Sequence, residues 1–220
     1  MDRKTIIKRI NEIHLDTEKL FSSLRAMERT DIEKFPDNYE ILSTDAALRA
    51  ELIACRLRRL IYVSTGIKKQ DYLVSAGAVQ GIQIHTHDNI LEITLPCLLP
   101  KRKQKQGTEF LIDPVYFSLS KYAENNKLPH FEHCVVCFSH IYSSELSLGR
   151  VRDYDNLELK QILDVVSAFV MKDDTGLLCD VYNTTEIGEK DFTLISVMNM
   201  EYFAKWLEKR KNSLKSISDF

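Results

Sequence analysis

Two aspartates separated by a single residue, Asp153 and Asp155, are the side chains whose type and spacing best suit chemistry. Residues two apart in an extended strand project from the same side, so both carboxylates would share one face and Tyr154 the other. Neighbouring carboxylates repel each other unless a cation lies between them, and hard oxygen ligands suit Mg²⁺ or Mn²⁺. A second acidic pair, Asp173 and Asp174, follows along the chain. The spacing therefore predicts a divalent-cation site.

The neighbouring residues predict the elements that hold these aspartates. Asn156 suits the N-cap of a helix, because its side chain can accept from free backbone N–H groups. Apolar side chains recur behind it at helical spacing: Leu159, Ile162, Leu163, Val166 and Phe169. His133 to Tyr142 has the composition of a strand. We call residues Arg152 to Asn156 the acidic corner, predicted to join that strand to that helix.

The N-terminal part of the chain predicts a helical hairpin. Residues 4–29 carry apolar side chains at helical spacing, and a second helix is predicted from Ser43 or Thr44 to about Ser64. Two such helices joined by a short connection pair in an antiparallel way. A turn-prone centre at 87–89, between alternating apolar segments, predicts a β-hairpin.

These elements together predict an α+β fold. A small mixed β-sheet with two packed helices would follow the N-terminal helical hairpin. The predicted boundaries are a helical segment at 1–75, an α+β domain at 76–200 and a C-terminal helix or tail at 201–220.

Composition narrows the classes of protein. The chain has 220 residues and a formal net charge of −2, so binding to nucleic acid would need a local basic patch. The sequence contains no apolar run long enough to span a bilayer, and its first residues carry no secretory signal. Five scattered cysteines fit a reducing compartment better than a disulfide framework, which predicts a cytoplasmic protein without membrane contact.

Two further segments could each have either a binding role or a purely structural one. The basic run Lys101, Arg102, Lys103 and Lys105 contains no acid and suits DNA phosphates, yet an exposed solvated loop has the same composition. Cys134, Cys137 and His140 suggest zinc, but a strand would point the two cysteines to opposite faces. Buried cysteines of a core strand are therefore favoured over a zinc site.

Residues 90–200 resemble the RusA-like family of Holliday junction resolvases. The resemblance is carried by the D-x-D-N motif at 153–156, the separation of Asp155 from Asp174, and segments similar to the family's opening strand (93–96) and closing strand (192–198). It implies a homodimeric, Mg²⁺-dependent (or Mn²⁺-dependent) endonuclease that acts on branched DNA. The residues implied as metal ligands are Asp153, Asp155 and Asp174, with Lys160 as a catalytic lysine.

The departures from the family keep other functions open. Lys160 follows Asn156 by four residues, where the family's lysine follows by three, and an i,i+4 pair with Asp164 would equally explain it. The family's arginine run is reduced to Arg150 and Arg152, which we predict to contact DNA. The alternatives are a non-catalytic DNA-binding or assembly protein of a phage or mobile element, and an interaction module whose helices bind a protein.

Overall fold

The structure, a computed structural model, divides the chain into two compact units, Met1–Lys69 and Gln70–Phe220. The residues it describes are 2–100, 108–145 and 147–218. Within these ranges, side chains are described except at 108–110, 148 and 211–218.

The first unit is a helical hairpin of α1 (Arg3–Arg29) and α2 (Pro36–Ser64). Asp2 caps α1, because its Oδ1 accepts from the backbone N–H of Thr5 at 2.7 Å. Proline occupies the first turn of α2, where its fixed φ suits the helix and its missing N–H costs nothing.

The two helices of the first unit meet along a mixed apolar and polar seam. Ile13 and Ala46 are the hydrophobic side chains that this unit buries among its described residues. An ion pair also joins the two helices: Arg56 Nη1 of α2 lies 2.8 Å from the carboxylate of the buried Asp16 of α1. Polar layers of this kind fix the register of paired helices at some cost in stability.

The second unit contains a five-stranded mixed sheet in the order β1-β2-β5-β3-β4. Its strands are β1 (Gln83–His87), β2 (Ile90–Leu95), β3 (Cys134–Ser143), β4 (Cys179–Gly188) and β5 (Phe192–Met198). Its helices are α3 (Lys69–Gln80), α4 (Thr108–Asn125), α5 (Lys160–Val170) and α6 (Met200–Ser218). β3 and β4 are parallel, whereas the other neighbouring strands are antiparallel. A parallel pair needs a crossover connection, and this one contains the acidic corner and α5.

Apolar side chains cover both faces of the sheet. The main core lies between one face and α4 and α5, and includes Ile93, Val115, Val136, Phe138, Val166 and Ile195. A smaller cluster lies between the other face and α6, and includes Val135, Cys137, Met198, Phe203 and Trp206. Each fully buried side chain of this size contributes about 1.5–3 kcal/mol before the entropic cost of ordering.

The α+β fold and its mixed sheet are confirmed. The predicted β-hairpin is present, with Asp88 and Asn89 both at positive φ (49° and 58°), as a two-residue type I′ turn requires. The closing strand has the predicted bounds 192–198. The N-terminal helical hairpin is also present, and the boundary between the two units falls at Lys69 and Gln70.

Two local predictions are wrong, and one helix was not predicted. α2 begins at Pro36 rather than at Ser43 or Thr44, because the proline opens the helix instead of a turn. α5 begins at Lys160 rather than just after Asn156. The helix α3 was not predicted, since it buries only Leu73 and a glycine and has almost no amphipathic pattern.

Candidate functional site

The acidic corner is a loop with a 3₁₀ turn, and the prediction of an extended strand there is wrong. The 3₁₀ turn is Tyr154–Asn156, preceded by Asp153 in the extended conformation (φ −65°, ψ 144°). The Asn156 N–H donates to the Asp153 carbonyl at 3.1 Å, so a local bond replaces strand pairing. Asp153 and Asp155 nevertheless line one open concavity, together with Arg152 and Thr185.

Tyr154 fastens the acidic corner to the sheet. Its hydroxyl lies 3.0 Å from Thr185 Oγ1, and its ring centroid lies 5.7 Å from that of His140. His140 of β3 and Thr185 of β4 are register partners in the parallel pair, so the tyrosine spans both strands. The sheet thereby determines where the flanking aspartates lie.

His140 is a fully buried imidazole beneath the acidic corner. It stacks on Phe138 with centroids 6.5 Å apart, and its Nε2 lies 3.4 Å from Asn183 Oδ1. Its Nδ1 has no hydrogen-bond partner among the described residues. Burial lowers the pKa of His140, only partly opposed by the contact with Asn183, so the ring is neutral at pH 7.

Two arginines fix the loop that leads into the acidic corner. Arg150 makes two 2.7 Å contacts with the Asp191 carboxylate, which also accepts from the Ser143 N–H at 2.7 Å. The hydrogen bond from Arg150 holds the pKa of Asp191 below its ordinary value. Arg152 donates from Nη1 to the Leu99 carbonyl at 3.3 Å. Both arginines thus have structural contacts, and their role in DNA binding stays a prediction.

Lys160 and Asp174 form a separate ionic cluster at the start of α5. Lys160 Nζ lies 2.8 Å from Asp164 Oδ1 and 3.2 Å from Asp174 Oδ2. Hydrogen bonding to Asp164 first, and to Asp174 second, raises the pKa of Lys160, while Lys160 lowers the pKa of Asp174. Asp173 accepts from the Thr175 N–H at 3.0 Å and closes a turn. Asp174 thus returns to the first turn of α5 within one chain.

The structure brings two of the three predicted metal ligands together. Asp153 and Asp155 are exposed, share a concavity and have no ion-pair partner among the described residues. Asp174 is paired with Lys160 instead. Within the described ranges, no group of three His, Cys, Asp or Glu side chains is arranged to hold a metal ion. The basic run at Lys101, Arg102, Lys103 and Lys105 lies outside the described residues.

The cysteines of β3 belong to the core. Cys134 lies in the core beneath α4 and α5, and Cys137 lies in the cluster beneath α6, so the alternation of a strand separates them. Cys134 is the register partner of Cys179. A hydrogen bond to Cys179 and burial both raise the pKa of the Cys134 thiol, which keeps it protonated.

A more enclosed cavity of about 290 Å³ lies on the opposite face of the sheet, beneath α6. Its lining combines acids, bases and aromatic rings, including Glu92, Glu186, Trp206 and Arg210. Arg210 Nε contacts Glu186 Oε1 at 2.5 Å, so these opposite charges neutralise each other. The mixed lining points to no single class of ligand, whereas the carboxylates of the acidic corner have no ion-pair partner among the described residues.

Comparison with protein families extends over nearly the whole chain. A model described as a family of unknown function (DUF6100) matches residues 2–220. The chain belongs to this family. The match spans both units of the chain, the helical hairpin and the α+β unit. No curated protein matches the chain.

The sequence analysis did not link two residues of the site in this DUF6100 member, His140 and Thr185, to the acidic corner. Thr185 and His140 are 45 positions apart along the chain, and only the parallel pairing of β3 with β4 makes them neighbours. In the sequence, His140 entered only the zinc interpretation with Cys134 and Cys137.

Within the described part of the chain, none of the helices has the length and hydrophobicity needed to cross a bilayer.

Proposed function

We propose that this protein is a Mg²⁺-dependent or Mn²⁺-dependent endonuclease that acts on branched DNA at the acidic corner. One observation carries the proposal: Asp153 and Asp155 line one concavity and have no cationic partner among the described residues. Asp174 and Asp191, by contrast, are each paired with a basic side chain. Arg152 lines the same concavity but forms an ion pair with neither aspartate, so the two carboxylates repel each other, and a divalent cation between them would relieve that repulsion.

The donor atoms at the acidic corner suit Mg²⁺. This ion is commonly held by one or two carboxylates, with waters and substrate phosphates completing the octahedron. Asp153 and Asp155 supply the two carboxylates, and the concavity is open enough for a phosphate to enter. A bound Mg²⁺ would stabilise the charge that develops on the phosphoryl group and acidify a water.

Side chains of the acidic corner would transfer the proton, bind the phosphate and hold the carboxylates in position. One corner carboxylate accepts a proton from the attacking water, whose oxygen forms a bond to phosphorus. The phosphorus–oxygen ester bond then breaks, the leaving sugar oxygen takes up a proton from solvent water, and the corner carboxylate releases its proton to solvent. Arg152, which lines the same concavity, is placed to hold the phosphate by a charge-assisted hydrogen bond. Tyr154 holds the carboxylates in place through Thr185.

A second candidate function is a non-catalytic DNA-binding or assembly protein on the same fold. The pairing of Lys160 with Asp164 and Asp174 favours this second function, because the lysine implied as catalytic contacts these two carboxylates and not Asp153 or Asp155. In this case the basic run at 101–105 would bind DNA phosphates without cleavage.

Nicking of a labelled four-way junction separates the two candidates. The purified protein should cut with Mg²⁺ or Mn²⁺ and not with EDTA. Asp155→Asn should abolish cutting while DNA binding and folding persist, and Asp180→Asn, an exposed carboxylate on β4, is the matched control that should cut normally. A protein that binds junctions but cuts no junction, flap or single strand with either metal supports the second candidate. Absence of binding contradicts both.

A further inference from the structure

The helical hairpin exposes far more apolar side chain than it buries. In the first unit the large apolar side chains that are 41–68% exposed are Ile7, Leu15, Phe21, Leu24, Ile32, Phe35, Ile41, Leu48, Leu52, Leu57, Val63 and Ile67. Ile13 and Ala46 are the buried hydrophobic residues of the same unit among those described. Soluble monomers rarely leave apolar surface of this extent open, and so small a core supplies little stability. This surface therefore needs a partner.

Helical geometry sorts the exposed side chains onto two sides of the hairpin. Leu15, Lys19 and Ser22 of α1 line one groove with Arg49 of α2. Residues about half a turn away from them on each helix form the other side, which we call the Phe21 face. Its members are Ile7, Ile10, Phe21 and Leu24 of α1, and Ala47, Ala50, Ala54 and Leu57 of α2. Their spacing is close to a heptad pattern on both helices.

The Phe21 face carries two complementary stripes. The α1 stripe has large apolar side chains towards both ends, with His14 and Thr17 at the heptad positions between them. Phe21 lies under the Arg25 guanidinium, which is 4.4 Å from the ring centroid. The α2 stripe is mostly alanine. Large side chains that face small ones allow two helices to interdigitate at native packing density. One chain thus presents both halves of a self-complementary surface.

We propose that a second copy of this chain covers the Phe21 face. The α1 helix of each copy packs on the α2 helix of the other about a two-fold axis, which completes a four-helix bundle. The apolar area covered is on the order of 1,000 Å² for the pair, since the four exposed large side chains of each copy offer about 100 Å² each and the exposed Ala47 and Ala50 add about 50 Å² each. That area reaches the threshold of a specific interface. The inference uses the first unit alone and does not depend on the proposed nuclease activity.

Sedimentation equilibrium of the full chain at about 10–100 µM tests the proposal. The wild-type protein should be a dimer, and Leu24→Lys should weaken it at least 10-fold. The matched control is Leu48→Lys on the other side of the hairpin, which should leave the dimer intact. Leu24 and Leu48 are 48% and 62% exposed, so neither substitution should reduce the helical circular dichroism of a single chain. A wild-type monomer at 100 µM, or equal dissociation by both variants, overturns the proposal.

Exchanging a large and a small residue tests the packing itself. Phe21→Ala and Ala50→Phe should each weaken the dimer, because one opens a gap and the other adds bulk. The double variant restores one large and one small residue to the interface and should recover much of the lost association. A double variant weaker than either single variant would contradict the packing of α1 on α2.

Discussion

Tyr154 should fix the position of the acidic corner through its hydroxyl bond to Thr185, a contact of 3.0 Å. Tyr154→Phe removes a neutral hydrogen bond whose partner is accessible to water, so the free energy of unfolding should fall by about 0.5–1 kcal/mol. Thr185→Val removes the same bond from the other side with little change in shape. Tyr154→Ala also loses the ring contact with His140. Since Tyr154 is 37% exposed, the total loss of unfolding free energy should be about 2–3 kcal/mol.

Urea denaturation followed by circular dichroism measures these free energies. The double variant Tyr154→Phe/Thr185→Val should lose little more stability than either single variant, which corresponds to a coupling energy of about 0.5–1 kcal/mol. Tyr154→Ala should also weaken divalent-cation binding more than Tyr154→Phe, because the flanking aspartates lose their support. Additive single effects, with no coupling, would refute the claim that this bond holds the corner to the sheet.

Two further predictions concern a close helix contact and an ionic cluster. A Cβ at Gly77 would lie 2.6 Å from Ser118 Oγ, so in the wild type the gain in helix propensity from Gly77→Ala should be offset and the urea midpoint should change little. In a Ser118→Ala background that contact is absent, and Gly77→Ala should raise the free energy of unfolding by up to about 1 kcal/mol. An equal effect in both backgrounds would contradict the contact. Lys160→Met should raise the pKa of Asp174 towards its ordinary value in a carboxyl NMR titration. Because the pKa of Asp174 is lowered in the fold, its pairing stabilises above the unfolded pKa and is lost as pH falls through the folded pKa, so wild type and variant should converge in stability at acid pH. An Asp174 pKa unaffected by Lys160→Met would contradict the pairing.

The sheet could be predicted because its signals are local and periodic. The turn at Asp88 and Asn89 lies between alternating apolar segments, and β5 is an uninterrupted run of strand-forming residues bounded by polar ones. Such patterns remain informative without knowledge of the tertiary contacts.

The helix starts could not be predicted because capping preference does not determine them here. Neither Phe35 before α2 nor Leu159 before α5 makes a side-chain cap. Before α5, Leu157 is buried in the main core and the Glu158 N–H donates to the Pro100 carbonyl at 2.9 Å. These tertiary contacts hold Leu157 and Glu158 in a non-helical conformation, so α5 starts later than the sequence predicts. Asn156, a good cap by type, is left in the 3₁₀ turn.

The sequence predicted which residues come together at the acidic corner, but not the backbone geometry that brings them together. Asp153 and Asp155 share a concavity, yet they reach it through a 3₁₀ turn rather than through the alternation of a strand. The i,i+4 pairing of Lys160 with Asp164 was among the open interpretations, and it is present at 2.8 Å. The additional bond to Asp174 depends on the return of the chain after α5, which no local pattern encodes.

The most direct measurement is a Mn²⁺ titration of the ¹⁵N-labelled protein, followed by paramagnetic broadening of backbone amide signals. Substoichiometric Mn²⁺ should broaden the amides of Asp153, Asp155 and Thr185 first, and Asp155→Asn should abolish this broadening. Excess Mg²⁺ should restore the signals by competition. Absence of broadening at the acidic corner at millimolar Mn²⁺, or broadening centred on Asp164 and Asp174 instead, would contradict the claim that the corner carboxylates bind a divalent cation.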